Sequence, residues 1–352
     1  GSVGARVRRA LYLAAVLDLF FGSAFFLAER GAQDGLTYSD SVWWAMVTMT
    51  TVGYGDFMPE TFVGRYLIAY PCFIIGIGLL AYLVGIIAES LIENVSRHRR
   101  GLVSSNNTGH VIICNFPGLK RVIQLVRELR ADSLYKDAQF VLVDDDLDEL
   151  PEELVQEQVR FIKGNPTKED TLRKANILEC DGVIILPESP SNGKSDFKTF
   201  AVGTIIEMME SKEGHPIKTI AELIEPNNIK MMRKTGVDGI VSPEGIGGRL
   251  LVQEYMNPGM ATVVEQLITA TSGSQFYLYD TKLTGSRVRE IQIAVIEHPT
   301  NLQIVGIMRN GAPIMNPPKD MKIDSGDQLI LLAESREDFD SIEREILEKT
   351  SA

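Results

Sequence analysis

Residues 50–56 read Thr-Thr-Val-Gly-Tyr-Gly-Asp, and their backbone rather than their side chains is equipped for chemistry. A row of carbonyl oxygens aimed at one axis needs successive residues of alternating handedness. Gly53 and Gly55 take positive φ without a Cβ penalty, which makes such a row accessible. The carbonyls of Thr51, Val52, Gly53 and Tyr54, with the Thr51 hydroxyl, would then replace the water shell of a dehydrated cation, and Asp56 closes the run. Charge gathers elsewhere. Glu89 and Glu93 are four apart and share one helix face. Asp144, Asp145 and Asp146 stand at the end of an apolar run, where they either meet a ligand or cap the next helix.

The elements that must hold the glycine run are membrane-spanning. Residues 10–28 contain one charge, Asp18, and residues 66–88 contain none. At 1.5 Å per residue each is long enough to cross about 30 Å of hydrocarbon. We place the spans at about 10–28 and 66–92, with a short helix over 40–50 that is too short to cross and therefore re-entrant, N-capped by Ser39 or Asp40. Arg6, Arg8 and Arg9 precede the first span and Arg97, Arg99 and Arg100 follow the second, so both termini are expected in the cytoplasm. Asp18 is costly at mid-span, and a hydrogen bond to the second helix or a bound proton is the expected remedy.

This arrangement resembles the potassium-channel family, with residues 51–55 as selectivity filter. The resemblance implies a homotetramer in the cell membrane, since one copy supplies one wall, with K+ held by Thr51, Val52, Gly53 and Tyr54. It also implies a glycine hinge in the inner helix, at Gly76 or Gly78, with Pro71 one turn earlier as an alternative kink. Glu89 and Glu93 would form acidic rings at the inner mouth, or a solvated helix face.

Beyond residue 100 the composition changes. The first 100 residues are neutral, so the whole net charge of −12 lies on the remainder and argues against nucleic acid as a partner. Cys72, Cys114 and Cys180 form no disulfide framework, and the four histidines show no zinc spacing. Strand patterns at 110–114, 140–143, 159–162, 182–186, 218–222 and 239–241 alternate with helical ones at 118–130, 147–158, 168–175, 197–211 and 227–234. That is a parallel α/β sheet of Rossmann type. A small α+β unit follows, with strands at 276–279, 303–309 and 328–332 and a helix over 334–347. The layout is multi-domain: an all-α pore over 1–96, a linker over 97–108, a Rossmann-like lobe over 109–257 and a second lobe over 258–352.

The two-lobe layout resembles the RCK domains that regulate potassium conductance, and the whole resembles prokaryotic two-span channels such as the archaeal calcium-gated ones. The resemblance implies RCK dimers in a gating ring, extra soluble RCK copies among the relatives, contact with membrane lipid, and a ligand that is calcium or an adenine nucleotide. For calcium the matching carboxylate is Glu222, with Glu225 and Glu188 as substitutes at the other positions. For NAD, ADP or ATP the cofactor positions are Asn115, Gly118, Asp144 and Asp145. The turn Asn115-Phe116-Pro117-Gly118 departs from Gly-x-Gly-x-x-Gly, and Pro117 removes an amide donor. No Met lies between Met58 and Met208, so an internal start near the linker would need Leu102 or Val103. Enzyme activity is not expected. The competing readings are a constitutively open channel with the RCK part as scaffold, and a membrane-tethered oxidoreductase.

Overall fold

The computed structural model describes residues 3–269 and 273–351. The chain divides into two compact units, Gly1–His98 and Arg99–Ala352.

In the first unit, α1 (Val3–Glu29) and α3 (Tyr70–Arg99) are the long apolar helices, and α2 (Tyr38–Met49) is the short one. The cap of α2 is neither Ser39 nor Asp40 but Thr37. Asp40 N donates to Thr37 Oγ1 at 3.2 Å and Thr37 N donates to Asp40 Oδ2 at 3.0 Å, a reciprocal box that starts the helix earlier. Phe25 stacks on Trp44 at 3.9 Å between ring centroids, anchoring α2 against α1. The inner helix opens with π-wound turns over Val63–Ala69, so it is longer than residues 66–92. Pro71 has no N–H for the Leu67 carbonyl directly after those turns. Thr61 Oγ1 accepts from Gly64 N at 2.9 Å at the start of this helix, and buried Glu29 fixes the preceding turn: its carboxylate accepts from Glu60 N and Thr61 N, both at 3.0 Å, and from Thr61 Oγ1 at 2.7 Å.

The second unit begins with β1 (His110–Cys114), α4 (Leu119–Ala131), β2 (Phe140–Asp144), α5 (Glu152–Gln156), β3 (Val159–Lys163) and α6 (Glu169–Lys174). It continues through β4 (Cys180–Ile185), α7 (Ser195–Glu213), β5 (Thr219–Glu222), α8 (Ile229–Met232) and β6 (Gly239–Val241). All strand pairs are parallel, in the order β3-β2-β1-β4-β5-β6. Both faces are buried, which is why the strands read as unbroken apolar runs. Ile112 and Cys114 face Leu172, Val202 and Ile206; Val111 and Ile113 face Val122, Val126 and Leu154. Helix α5 is shorter than residues 147–158, because Asp144 ties the preceding residues into a turn.

Then come α9 (Pro243–Met256), α10 (Met260–Ile268), β7 (Gln275–Asp280), α11 (Val288–Glu297), β8 (Leu302–Arg309), β9 (Ala312–Met315), β10 (Gln328–Ala333) and α12 (Asp340–Ser351). The second sheet is antiparallel, β7-β10-β8-β9, with a core that includes Ile291, Val295, Ile342 and Ile346. The last helix starts after 334 because Ser335 and Asp338 form a capping box on a 3-10 turn.

The linker expected over 97–108 is not free. Lys163 N donates to Gly101 O at 3.0 Å, Ser105 N to Lys174 O at 2.8 Å, and Asn176 Nδ2 to Asn107 O at 2.7 Å. A side chain at Gly101 would lie 2.3 Å from Lys163 N, at a φ of +66°, so only glycine fits that approach. Composition alone reads these small polar residues as a spacer.

Candidate ion pathway and ligand cleft

The glycine run leaves the end of α2 under tight backbone control. Thr50 N donates to Met46 O at 3.0 Å, and Val52 N and Gly53 N both donate to Val47 O, at 2.9 and 3.1 Å. Positive φ occurs at Thr51 (+62°), Gly53 (+52°) and Gly55 (+77°), and at neither Val52 nor Tyr54. This is the alternation that a row of convergent carbonyls requires. Thr51 completes it although a β-branched residue is disfavoured there, a strain the helix end must hold. Trp43 braces the run: its Nε1 donates to Asp56 Oδ2 at 2.8 Å, and its ring stacks on Tyr54 at 5.9 Å and 5°. Residues 51–56 are exposed on the single chain.

Gly76 is a packing point. A Cβ there would lie 2.5 Å from Met49 Cα and 2.6 Å from Met49 O, so the inner helix passes directly against the end of α2. Gly78 and Gly85 face open space, and α3 is continuous through all three. Glu89 is exposed and paired with Arg6 at 2.6 Å, while Glu93, one turn on, is also exposed.

In the second unit the strand order reverses between β1 and β4, and the crevice at their carboxyl ends gathers most of the remaining candidates. Asn115 takes the first turn position at φ +69°. Its Nδ2 donates to Leu186 O at 2.8 Å, and its buried Oδ1 has no hydrogen-bond partner among the described residues. Gly118 precedes α4 at φ +137°, with no side chain capping the helix. Asp144 is buried and accepts from Phe116 N at 2.9 Å, Asp146 N at 2.9 Å and Leu147 N at 2.7 Å. Two of these bonds fall on Oδ1 and one on Oδ2, so acceptor capacity is left on Oδ2 alone.

The carboxylates expected in one calcium site are divided. Glu188 joins Asp145 and Asp146, with one oxygen from each within 4.8 Å of the others. Lys198, from the first turn of α7, bridges Asp145 at 2.6 Å and Glu188 at 2.7 Å. Burial opposes its charge, but hydrogen bonds to Asp145 and Glu188 outweigh that and hold the ammonium above its usual pKa. The Asp145 charge raises the pKa of Asp146. Glu222 instead pairs with Arg121 at 2.8 Å. With Glu225 and Glu244 it lines a separate cleft of about 430 Å³. Lys198 was missed as a site residue, and Asp146 was read only within the acidic triplet, not as a metal ligand. Nothing local marks Lys198, which α7 brings in from 52 positions beyond Asp146.

The loop after β2 also holds Arg99, the last residue of α3. Its guanidinium lies 2.9 Å from Glu149 and 3.0 Å from Glu152, and Leu150 N donates to Arg99 O at 2.8 Å.

Family models match three segments: an ion channel over residues 13–93, a TrkA-N domain over 122–243, and the "Castor and Pollux, part of voltage-gated ion channel" over 244–348. The calcium-gated potassium channel TvoK of Thermoplasma volcanium is 25% identical over 336 residues, 94% of this chain and 92% of that one. Among solved structures, the human SLO3 gating ring aligns with a TM-score of 0.52 at 14% identity, over 66% of this chain and 45% of that one, and shares the fold. The NAD-bound GsuK channel aligns with a TM-score of 0.45 at 19% identity, over 92% of this chain and 56% of that one. The chain thus spans about half the length of these two solved chains.

Proposed function

We propose that this chain, which matches ion-channel and TrkA-N family models over residues 13–93 and 122–243 and resembles a calcium-gated potassium channel over 94% of its length, is a potassium-selective homotetramer opened by a divalent cation, calcium first, bound by Asp145, Asp146 and Glu188. The observation that carries the reading is the crowding of those three carboxylates at the sheet's switch point. Like charges held that close are relieved by a hard cation, which takes carboxylate oxygens readily. Such an ion would have to draw Asp145 and Glu188 away from Lys198. The acidic residues lie on the loop that continues to Glu149 and Glu152, so a shift of the loop on binding pulls Arg99 and with it the end of α3. Coupling of this kind needs the ion to prefer one loop position. The pore expectations form the rest of the proposal: K+ on the 51–54 carbonyls, a hinge near Gly76 or Gly78, acidic rings at Glu89 and Glu93, and cytoplasmic termini.

An adenine nucleotide is the second reading, supported by the uncapped start of α4, where free amides and the helix dipole favour a phosphate, and by the unpartnered Asn115 Oδ1. One recording separates the two. In a planar bilayer, calcium on the RCK side should raise open probability, and the double change D146N/E188Q should abolish the response while sparing potassium selectivity. Indifference to calcium together with a response to ADP that Gly118→Val removes favours the nucleotide. Indifference to both leaves an assembly scaffold on an open pore.

A further inference from the structure

The pore unit holds a cavity of about 320 Å³ between α1, the end of α2 and α3. Its wall is Ala, Leu, Met and Gly apart from two residues, Asp18 and Thr50. Asp18 Oδ1 is closed to solvent and has no hydrogen-bond partner among the described residues. The hydrogen bond to the second helix expected for this carboxylate is therefore not made by that oxygen.

Asp18 stands nine residues after Arg9 and eleven before Glu29, near the middle of the span. A carboxylate at that depth either holds a proton or stays charged beside a cation, since a bare charge there is costly. The chain itself offers no cation: between Arg9 and Arg97 the only basic residues are Arg30 and Arg65, both at the far end of the spans. A symmetric assembly of identical chains therefore brings no basic side chain to this level from a neighbour. An inorganic ion is poorly served as well, because it needs several oxygen ligands. The second polar group here, Thr50 Oγ1, already donates to Met46 O at 2.8 Å.

From this we infer that the cavity is a binding site for an amphipathic organic ammonium that enters from the lipid phase. Its alkyl body lies against Leu79, Leu80 and Leu83 and its charged nitrogen on Asp18. Two parts of the pore form the same wall. Met49 and Thr50 immediately precede Thr51, where the carbonyl row starts, and Gly76 is the contact between α2 and α3. An occupant thus touches the base of the ion pathway from behind and bears on its conductance without entering it.

The test is binding of octyltrimethylammonium to the full-length channel in lipid nanodiscs, with neutral octanol as the uncharged control. Asp18→Asn should weaken the ammonium at least tenfold and leave octanol unchanged. Ala14→Phe, which fills the cavity with Asp18 intact, should remove both. Equal ammonium affinity in the wild type and Asp18→Asn overturns the proposal, and so does absence of binding to the wild type. If Asp18→Asn does not assemble, Ala14→Phe decides: retained ammonium binding overturns the site, and loss supports it.

Discussion

Gly55 and Lys198 are the two residues whose replacement separates backbone chemistry from side-chain chemistry. At Gly55 an added Cβ meets nothing within 4 Å on the chain, so any effect of alanine comes from its φ of +77°. A left-handed non-glycine residue costs about 1–2 kcal/mol, and a tetramer repeats that four times around one axis. Gly55→Ala should therefore lower the potassium-to-sodium permeability ratio at least tenfold, read as a bi-ionic reversal potential; an unchanged ratio would detach selectivity from the handedness of the row. Lys198 makes the opposite case. If its ammonium occupies the place of a ligand cation, Lys198→Met should shift calcium activation to lower concentration by about tenfold, the value of one charge-assisted contact near 1.4 kcal/mol. The pH dependence follows from Asp146. Its pKa, raised by the Asp145 charge, means that acidification returns its proton before those of ordinary carboxylates, so the calcium needed for half-activation should begin to rise at a higher pH than ordinary carboxylate titration would give. An Asp146→Asn channel should lack that component.

Among the elements, the proposed transmission runs through Arg99 and the loop after β2. The ion pairs of Arg99 with Glu149 and Glu152 are partly exposed, and such pairs contribute about 0–1 kcal/mol each. Their loss scarcely touches the stability of one chain. Summed over the four chains of the proposed tetramer, however, it reaches about 4 kcal/mol of bias if the gate is concerted, about a thousandfold in its equilibrium. Arg99→Ala should thus leave conductance and selectivity intact while flattening the ligand response, and a normal dose–response would refute the route. The glycines of α3 divide similarly. Gly76→Ala forces α2 and α3 apart at a cost of about 1–3 kcal/mol and should impair tetramer yield or conduction. Gly78→Ala, in open space, should favour the straight helix by about 0.5–1 kcal/mol and reduce open probability if the hinge is there.

What could be read from the sequence divides along the same line. The spans, the glycine run and the six parallel strands were legible because each is written in local pattern: apolar length, a glycine pair, apolar runs buried on both faces. Thr37 as the cap of α2, Thr51 at positive φ, the clamp of Gly101 onto Lys163 and the insertion of Lys198 between two acids were not. Each depends on a partner that the fold brings in, or on strain that a neighbouring element imposes, and no spacing along the chain announces either.

For the molecule as a whole, the informative surface is α9 with α10. Among the described residues neither helix contains a buried one, and Leu251, Tyr255 and Ile268 are 73%, 90% and 75% exposed. An apolar patch of this extent, left exposed on the single chain, marks an interaction surface. Like charges elsewhere on a domain that carries the chain's entire net negative charge would oppose association, so apolar burial must supply it. We expect RCK domains to pair through this surface. Tyr255→Glu with Leu251→Glu buries two carboxylates at the seam and should split the pairs, seen as a halved mass of residues 99–352 by light scattering, provided its circular dichroism is unchanged. In the full channel the same change should leave the potassium-selective pore in place and remove cooperativity from the ligand response, because each RCK domain would then act on its own α3. A cooperative response from unpaired domains would place the interface elsewhere.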